Sequence, residues 1–443
     1  MLAVPSSSTE RARWSNWAGN QVCAPTEIVH PSTEAELADA VARAAAAGRR
    51  VKVVGSGHSF TGAALTDGTQ IVLDRYGRVL DADPVTGLVT VEAGITLRRL
   101  NAELARRGLA MPNLGDVQYQ TISGALSTAT HGTGITHGNL ATRIRAMRLV
   151  TGDGSVLECS PEVEPEVFHA ARVGVGALGA ISTVTLECVP AFDLHAVEAP
   201  ERLDGLLADI DTHVEGNDHF EFYWVPHTGW ALTKRNNRTT RSPARRPMWR
   251  EVYEDVVVSN WVFGALCRVG RMRPQAIPRL MRAVPNTGPV DYVDRSDRIF
   301  TSPRHVRFYE MEYAVPRADG PEALQRVRDL VHRSGLFLSF PVEVRFVAAD
   351  DIPLSPAHGR ETCYIAVHVY RGMEYHQYFS GVEAIMDDYG GRPHWGKLHF
   401  QTAETLAPRY PEWDKFQQVR ARLDPTGTFA NAYLDRVFGP IGS

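Results

Sequence analysis

The stretch VVGSGHSF, Val53 to Phe60, sets the reading of this chain. Two β-branched residues run straight into Gly55, Ser56 and Gly57, and a histidine follows at once. Glycines so spaced let backbone N–H groups converge on an anion with no Cβ in the way. Ser56 and Ser59 add hydroxyl donors, and the strand before them is a rigid mount. No GK[ST] follows, so the loop is not a Walker A phosphate loop. Taken alone, the stretch is equally a tight turn beside an incidental surface histidine.

The flanking sequence alternates short strands with helices. Thr33 and Glu36 form a capping box ahead of Leu37, Val41, Ala44 and Ala45, and Gly48 supplies a stop. Val51 to Val54 then reads as a buried strand, and residues 70–74 as another. GLVTVE (87–92) alternates after a turn and predicts a hairpin. Leu97 to Leu109 reads as a helix, and residues 145–159 as a hairpin around Gly152-Asp153-Gly154. No regular βαβ rhythm appears, so the fold class expected is α+β. Gly174-Val175-Gly176-Ala177-Leu178-Gly179 matches GxGxxG, but its surroundings are reversed. A helix-like stretch (165–172) precedes it and a β-branched run (181–186) follows, whereas a dinucleotide site needs a strand first and a helix after. A glycine-rich turn, or backbone approaching an adenine, remains.

Four further stretches carry chemistry. ISGALSTATHGTG (122–134) and HGNLA (137–141) are dense in small residues, which suits backbone laid against a flat ligand and equally suits a plain loop. In FPVEVRF (340–346), Glu343 and Arg345 share one face of an apolar strand. Opposite charges there are costly to bury unless paired, so they are a structural ion pair or line a cavity. In RPHWGK (392–397), a turn brings His394, Trp395 and Lys397 together. His368 alternates with apolar neighbours in IAVHVY and reads first as a core histidine. His58, His131, His368 and His394 match no common local metal-ligand spacing, so no metal is expected. Lys234 to Arg250, with six arginines, reads as a solvated loop rather than a nucleic-acid surface.

With 443 residues the chain is too long for one ordinary core, so two large domains are expected. A net charge of −4 gives no reason to expect a polyanionic partner. No run reaches the roughly 18 apolar residues of a membrane span, and the first residues lack the pattern of a secretory leader. The five cysteines are scattered and odd in number, which fits neither a disulfide framework nor a zinc site and points to the reducing cytoplasm.

Together, GSGHSF, THGTG, GALGAI, EVRF with SPAHGR, and RPHWGK resemble the vanillyl-alcohol-oxidase-type FAD-linked oxidoreductases, in their sugar-1,4-lactone and alditol oxidase branch. The match spans nearly the whole chain. The resemblance implies an FAD-binding domain of the PCMH type over 1–190, made of two subdomains. It implies a substrate-binding cap with a large antiparallel sheet over 191–420, and a segment over 421–443 that returns to the first domain. It implies a bond from His58 to the 8α carbon of the flavin. It places Gly55, Ser56, Gly57, Ser59, Ser123, Gly124, Ser127, Thr128, His131, Gly132, Thr133, Gly134, Asn139, Gly179, Ile181 and His394 on the cofactor. Glu343, Arg345, Lys397 and His368 match its catalytic positions. Glu343 would orient the substrate hydroxyl and take its proton, while Arg345 and Lys397 would stabilise negative charge. The activity implied is oxidation of a sugar-1,4-lactone of the L-gulono-1,4-lactone type, with hydride passing to flavin N5. An oxygen-dependent alditol oxidase acting on xylitol or sorbitol is the alternative, weakened by Tyr370, where the alditol enzymes carry a threonine. The electron acceptor implied is oxygen, a dye, a cytochrome or a quinone.

Overall fold

A computed structural model describes residues 13–244, 261–283, 288–302 and 305–441. Strand β1 (Glu27–Val29) leads into helix α1 (Glu34–Ala46), then β2 (Val51–Val54) and β3 (Thr69–Val72). The Thr33 hydroxyl caps α1 by accepting the Glu36 N–H at 3.2 Å. The Glu36 carboxylate reaches back one residue further than a capping box requires, to the N–H of Ser32 at 2.7 Å. Gly48 takes φ +64°, the left-handed conformation that ends a helix. The three strands form a parallel sheet ordered β1-β3-β2. One βαβ crossover therefore exists where the sequence showed no regular rhythm.

A second sheet follows: β4 (Val79–Ala82), β5 (Leu88–Glu92), then helices α2 (Leu97–Arg106) and α3 (Ile122–Ser127), and β6 (Ile144–Val150) and β7 (Val156–Cys159). Helix α4 (Pro165–Ala171) precedes β8 (Ala180–Glu187), so the glycines at 174–179 do run from helix to strand. The five strands are antiparallel in the order β7-β6-β8-β5-β4. The hairpin at 151–155 is closed by the Asp153 carboxylate, which accepts from the Thr151 hydroxyl and the Ser155 N–H.

The larger sheet is built from β9 (Asp193–Arg202), β10 (His219–Trp224) and β11 (Trp230–Thr239). Helix α5 (Phe263–Met272) and β12 (Val290–Arg295) come next, then β13 (Phe308–Pro316) and helix α6 (Gly320–Arg333). β14 (Val342–Val347), β15 (Thr362–Tyr370), helix α7 (His376–Asp387) and β16 (Arg392–Pro393) complete it. The order is β12-β9-β11-β10-β14-β15-β13-β16, antiparallel throughout. Lys234 to Thr239, expected in a solvated loop, are strand residues of β11 paired with β9, and Lys234 to Asn236 pair with β10 as well. Residues 245–250 of the same basic stretch lie outside the described residues.

Strand alternation gives this sheet two unlike faces. Phe220, Phe222, Val342, Val344, Met311, Val315, Ile365 and Val367 pack against Leu324, Val327, Phe379 and Val382 of α6 and α7. The opposite face carries Glu221, Tyr223, Glu310, Glu312, Glu343, Arg345 and His368, all buried. Helices α8 (Trp413–Leu423) and α9 (Ala432–Phe438) leave this sheet and complete the first core, where Phe416, Val419, Leu434 and Val437 join Leu37, Val41, Val89 and Val184. Trp395, fully buried, extends that core, and its indole N–H donates to the Leu354 carbonyl at 2.6 Å. No helix among the described residues is long and apolar enough to cross a membrane.

Trp395→Ala removes the largest side chain at this junction and is expected to cost about 3–5 kcal/mol. Urea unfolding followed by tryptophan fluorescence checks it; an unchanged midpoint would show that Trp395 does not anchor its turn.

Candidate active site

Two clefts meet in the molecule. The first, enclosing about 920 Å³, lies between the two smaller sheets. Gly55, Ser56, Gly57, His58 and Ser59 line it from the end of β2. Ser123, Gly124, Ser127 and Thr128 line it from α3, and Gly179 and Ile181 from the start of β8. These expected residues are thus brought together. Gly55 faces Thr121, whose hydroxyl a Cβ would strike, and Gly57 sits at φ +68°. Both positions need glycine, and together they leave a bare backbone cradle. Lys52, which the sequence reading passed over, lines the same cleft. Its ammonium donates to the carbonyls of Gly176 and Phe429, and burial pushes its pKa down to about 7. A lysine inside VKVV was the available signal.

The second cleft, of about 970 Å³, opens toward the large sheet. His58, Ser59, Gln120 and Thr128 line both clefts, so His58 stands at their junction. Its ring stacks against Trp17, with centroids 5.6 Å apart. Burial, and then the nearby Lys397 ammonium, pull its pKa down to about 4. The ring is neutral at physiological pH, with a nitrogen lone pair available. The RPHWGK turn closes on the GSGHSF loop, because the Phe60 N–H donates to the Gly396 carbonyl at 2.8 Å. His394 and Lys397 therefore line the second cleft, and burial lowers His394 to about 3.

Glu310, missed in the sequence, is the carboxylate of this cleft. It lies 2.5 Å from the Lys397 ammonium and 3.5 Å from the His368 ring. Burial opposes its charge, but Lys397 and His368 outweigh burial and bring it down to about 2. Burial also works against Lys397, and Glu310 and Glu312 reverse that, holding the lysine charged. The signal was the pair Glu310 and Glu312 at alternate positions of FYEMEYAVP, the same pattern that singled out Glu343 and Arg345.

Glu343, Arg345 and His368 lie beside the cleft on the same sheet face. The Arg345 guanidinium meets Glu343 at 2.5 Å, Asp116 at 2.6 Å and Glu221 at 2.9 Å. The Tyr223 hydroxyl lies 3.2 Å from Glu343 and 3.0 Å from Glu221. Burial, together with the carboxylates of Asp116 and Glu221, overrides Arg345 and pushes Glu343 up to about 6. Arg345 is thus surrounded by the carboxylates of Glu343, Asp116 and Glu221. Asp116, Glu221 and Tyr223 were not legible as members of the group.

His131, Gly132, Thr133, Gly134 and Asn139 line neither cleft. They form the seam between the first core and the large sheet. His131 lies 3.2 Å from Glu312 and stacks on Tyr364. A Cβ on Gly132 would strike Asn113 and the Leu114 carbonyl. The Thr133 hydroxyl donates to the Phe220 carbonyl and accepts the Phe346 N–H, and Gly134 donates to the Phe346 carbonyl at 2.7 Å. Asn139 donates to Asp350 and Ser355. Small residues fit here because the chain runs tight against Asn113, Leu114 and the strand at Phe346.

A glycine-lined cleft, a neutral histidine at its outer end and a charged chamber beyond define a flavin-dependent oxidoreductase with an FAD-binding domain and a cap. An FAD-binding-domain family matches residues 25–160, and the D-arabinono-1,4-lactone oxidase family matches residues 184–437. This chain belongs to the D-arabinono-1,4-lactone oxidase family. It is 53% identical to an L-gulono-1,4-lactone dehydrogenase of Mycobacterium tuberculosis, over 96% of this chain and 99% of that protein. It is 37% identical to the L-gulonolactone oxidase of Bos taurus, over 96% and 98%. The fold superposes on cholesterol oxidase from B. sterolicum with a TM-score of 0.80, at 16% identity and 99% coverage of both chains.

Gly55→Ala is expected to leave the protein folded but largely free of flavin, since the new Cβ pushes against Thr121. The ratio of flavin to protein absorbance checks it, and full flavin content in the variant would refute the cradle.

Proposed function

We propose that this enzyme oxidises a sugar-1,4-lactone of the L-gulono-1,4-lactone type in the second cleft, with FAD held in the first. The observation that carries this reading is the junction at His58, where a glycine-lined cleft opens onto paired buried charges. FAD supplies the hydride acceptor when bound. The residues 55–59, 123, 124, 127, 128, 179 and 181 would hold it.

The chain's own groups divide the remaining work. Glu343, with a pKa near neutrality, orients the substrate hydroxyl and accepts its proton. Arg345 is a positioning residue for that carboxylate. Lys397, kept charged by Glu310, puts positive charge at the wall where a substrate oxygen loses its proton. His368 helps fix Glu310. Trp17, Phe60 and Phe308 give the cleft an apolar wall that limits water. We further propose the domain division 1–190, 191–420 and 421–443, supported by two separate cores and by α9, which joins the first. Five unpaired cysteines support a reducing, cytoplasmic setting.

His58 forms the covalent link to the flavin 8α carbon, and its neutral ring at the junction supports this. Acid denaturation of the holoenzyme should leave yellow colour and a flavin-sized mass increment on the peptide containing His58. Free FAD in the supernatant and an unmodified peptide would refute the link.

Because Glu343 must be deprotonated to act as base, kcat/KM should fall as pH drops through about 6. Glu343→Gln should abolish that limb and slow substrate-dependent flavin bleaching by ~10²–10⁴ at pH 8. Bleaching at the normal rate in the variant would sink the role.

A further inference from the structure

A third cavity, of about 1480 Å³, adjoins the second cleft. His305 lines both, so the cavity is the outer vestibule of the substrate chamber. Arg268 and Arg271 of α5, with Arg307 and Arg371, line it beside Trp261, Tyr309 and Tyr370. Trp261 is 71% exposed. Among the described residues, none of these four guanidiniums is in an ion pair. Elsewhere the chain pairs its arginines heavily: Arg317 alone meets Asp211, Glu215 and Glu361. Arg271 leans over the Tyr370 ring at 5.7 Å, and Arg371 lies against Gly19, where a Cβ would meet its guanidinium at 2.6 Å.

Convergent unpaired guanidiniums select oxyanions, which they grip through two parallel hydrogen bonds. The exposed Trp261 ring suits the C–H face of a sugar. A neutral lactone has no use for four positive charges. Its hydrolysis product does: water adds at the lactone carbonyl, the ring oxygen leaves as a hydroxyl, and a proton is released, giving an aldonate carboxylate on the same carbon chain. We propose that this vestibule is a binding subsite for an anionic sugar, namely the ring-opened aldonate of the substrate lactone, which blocks access to the second cleft. The identity of the sugar rests on the function proposed above; the anion subsite itself does not.

The test uses the holoenzyme at constant ionic strength, with sodium L-gulonate, sodium phosphate and neutral lactone as probes. Gulonate should raise the apparent KM for L-gulono-1,4-lactone without lowering kcat. It should also change tryptophan fluorescence, and Trp261→Phe should remove that change. In the double variant Arg271→Gln/Arg371→Gln the gulonate inhibition constant should rise by about tenfold or more, while kcat and KM with lactone alone stay within about twofold. Equal inhibition of the double variant and the unaltered enzyme would overturn the proposal. Phosphate binding as tightly as gulonate would overturn the sugar assignment. If the unaltered holoenzyme fails to oxidise the lactone yet gulonate still binds at Trp261, the substrate reading falls and the anion subsite stands.

Discussion

A charge removed from water must find a partner, and the architecture follows from that requirement. The large sheet is covered on both sides. Its helix-facing side meets the requirement with aliphatic and aromatic residues. Its other side cannot, because it carries four glutamates, an arginine and a histidine. Register supplies the partners: Glu221 lies opposite Arg345, and Glu310 opposite His368. The turn after β16 brings Lys397 to Glu310. Shifting β10, β13 or β14 by a single residue would drive carboxylates into the packing of α6 and α7. Pairing register and site geometry are one constraint.

Much of this was legible in the sequence. The helix after Thr33, the hairpin around Gly152 to Gly154 and the reversed order about Gly174 to Gly179 rest on local rules, and local rules suffice for them. The motifs GSGHSF and RPHWGK were legible as chemistry because glycine and histidine side by side are hard to explain by packing. Their contact was not, since it depends on a Phe60 to Gly396 hydrogen bond between distant segments. Asp116, Glu221 and Tyr223 join Glu343 only once strands pair. The THGTG stretch is the opposite case. Small residues report close approach without saying to what; beside Gly132 lie the Asn113 side chain and the Leu114 carbonyl, and beside Gly134 the Asp218 carbonyl.

The two clefts differ in what they ask of side chains. The first is shaped by absence: positions such as Gly55 work because no side chain intrudes. The second is shaped by balance, with Lys397 and Glu310 holding each other ionised while crowding leaves Glu343 able to titrate. His58 belongs to both, and its low proton affinity comes from the burial of one and the cation of the other.

The return of α8 and α9 has a consequence for synthesis. Their residues Phe416, Val419, Leu434 and Val437 sit in the same core as Leu37 and Val41. The Val51 N–H is bonded to the Thr428 carbonyl at 2.7 Å. A chain emerging from the ribosome displays the N-terminal sheets long before these helices exist. The cap can settle during translation, but the N-terminal half must wait with an unfinished apolar surface until the last helix is released. For this protein the half made first is the half completed last.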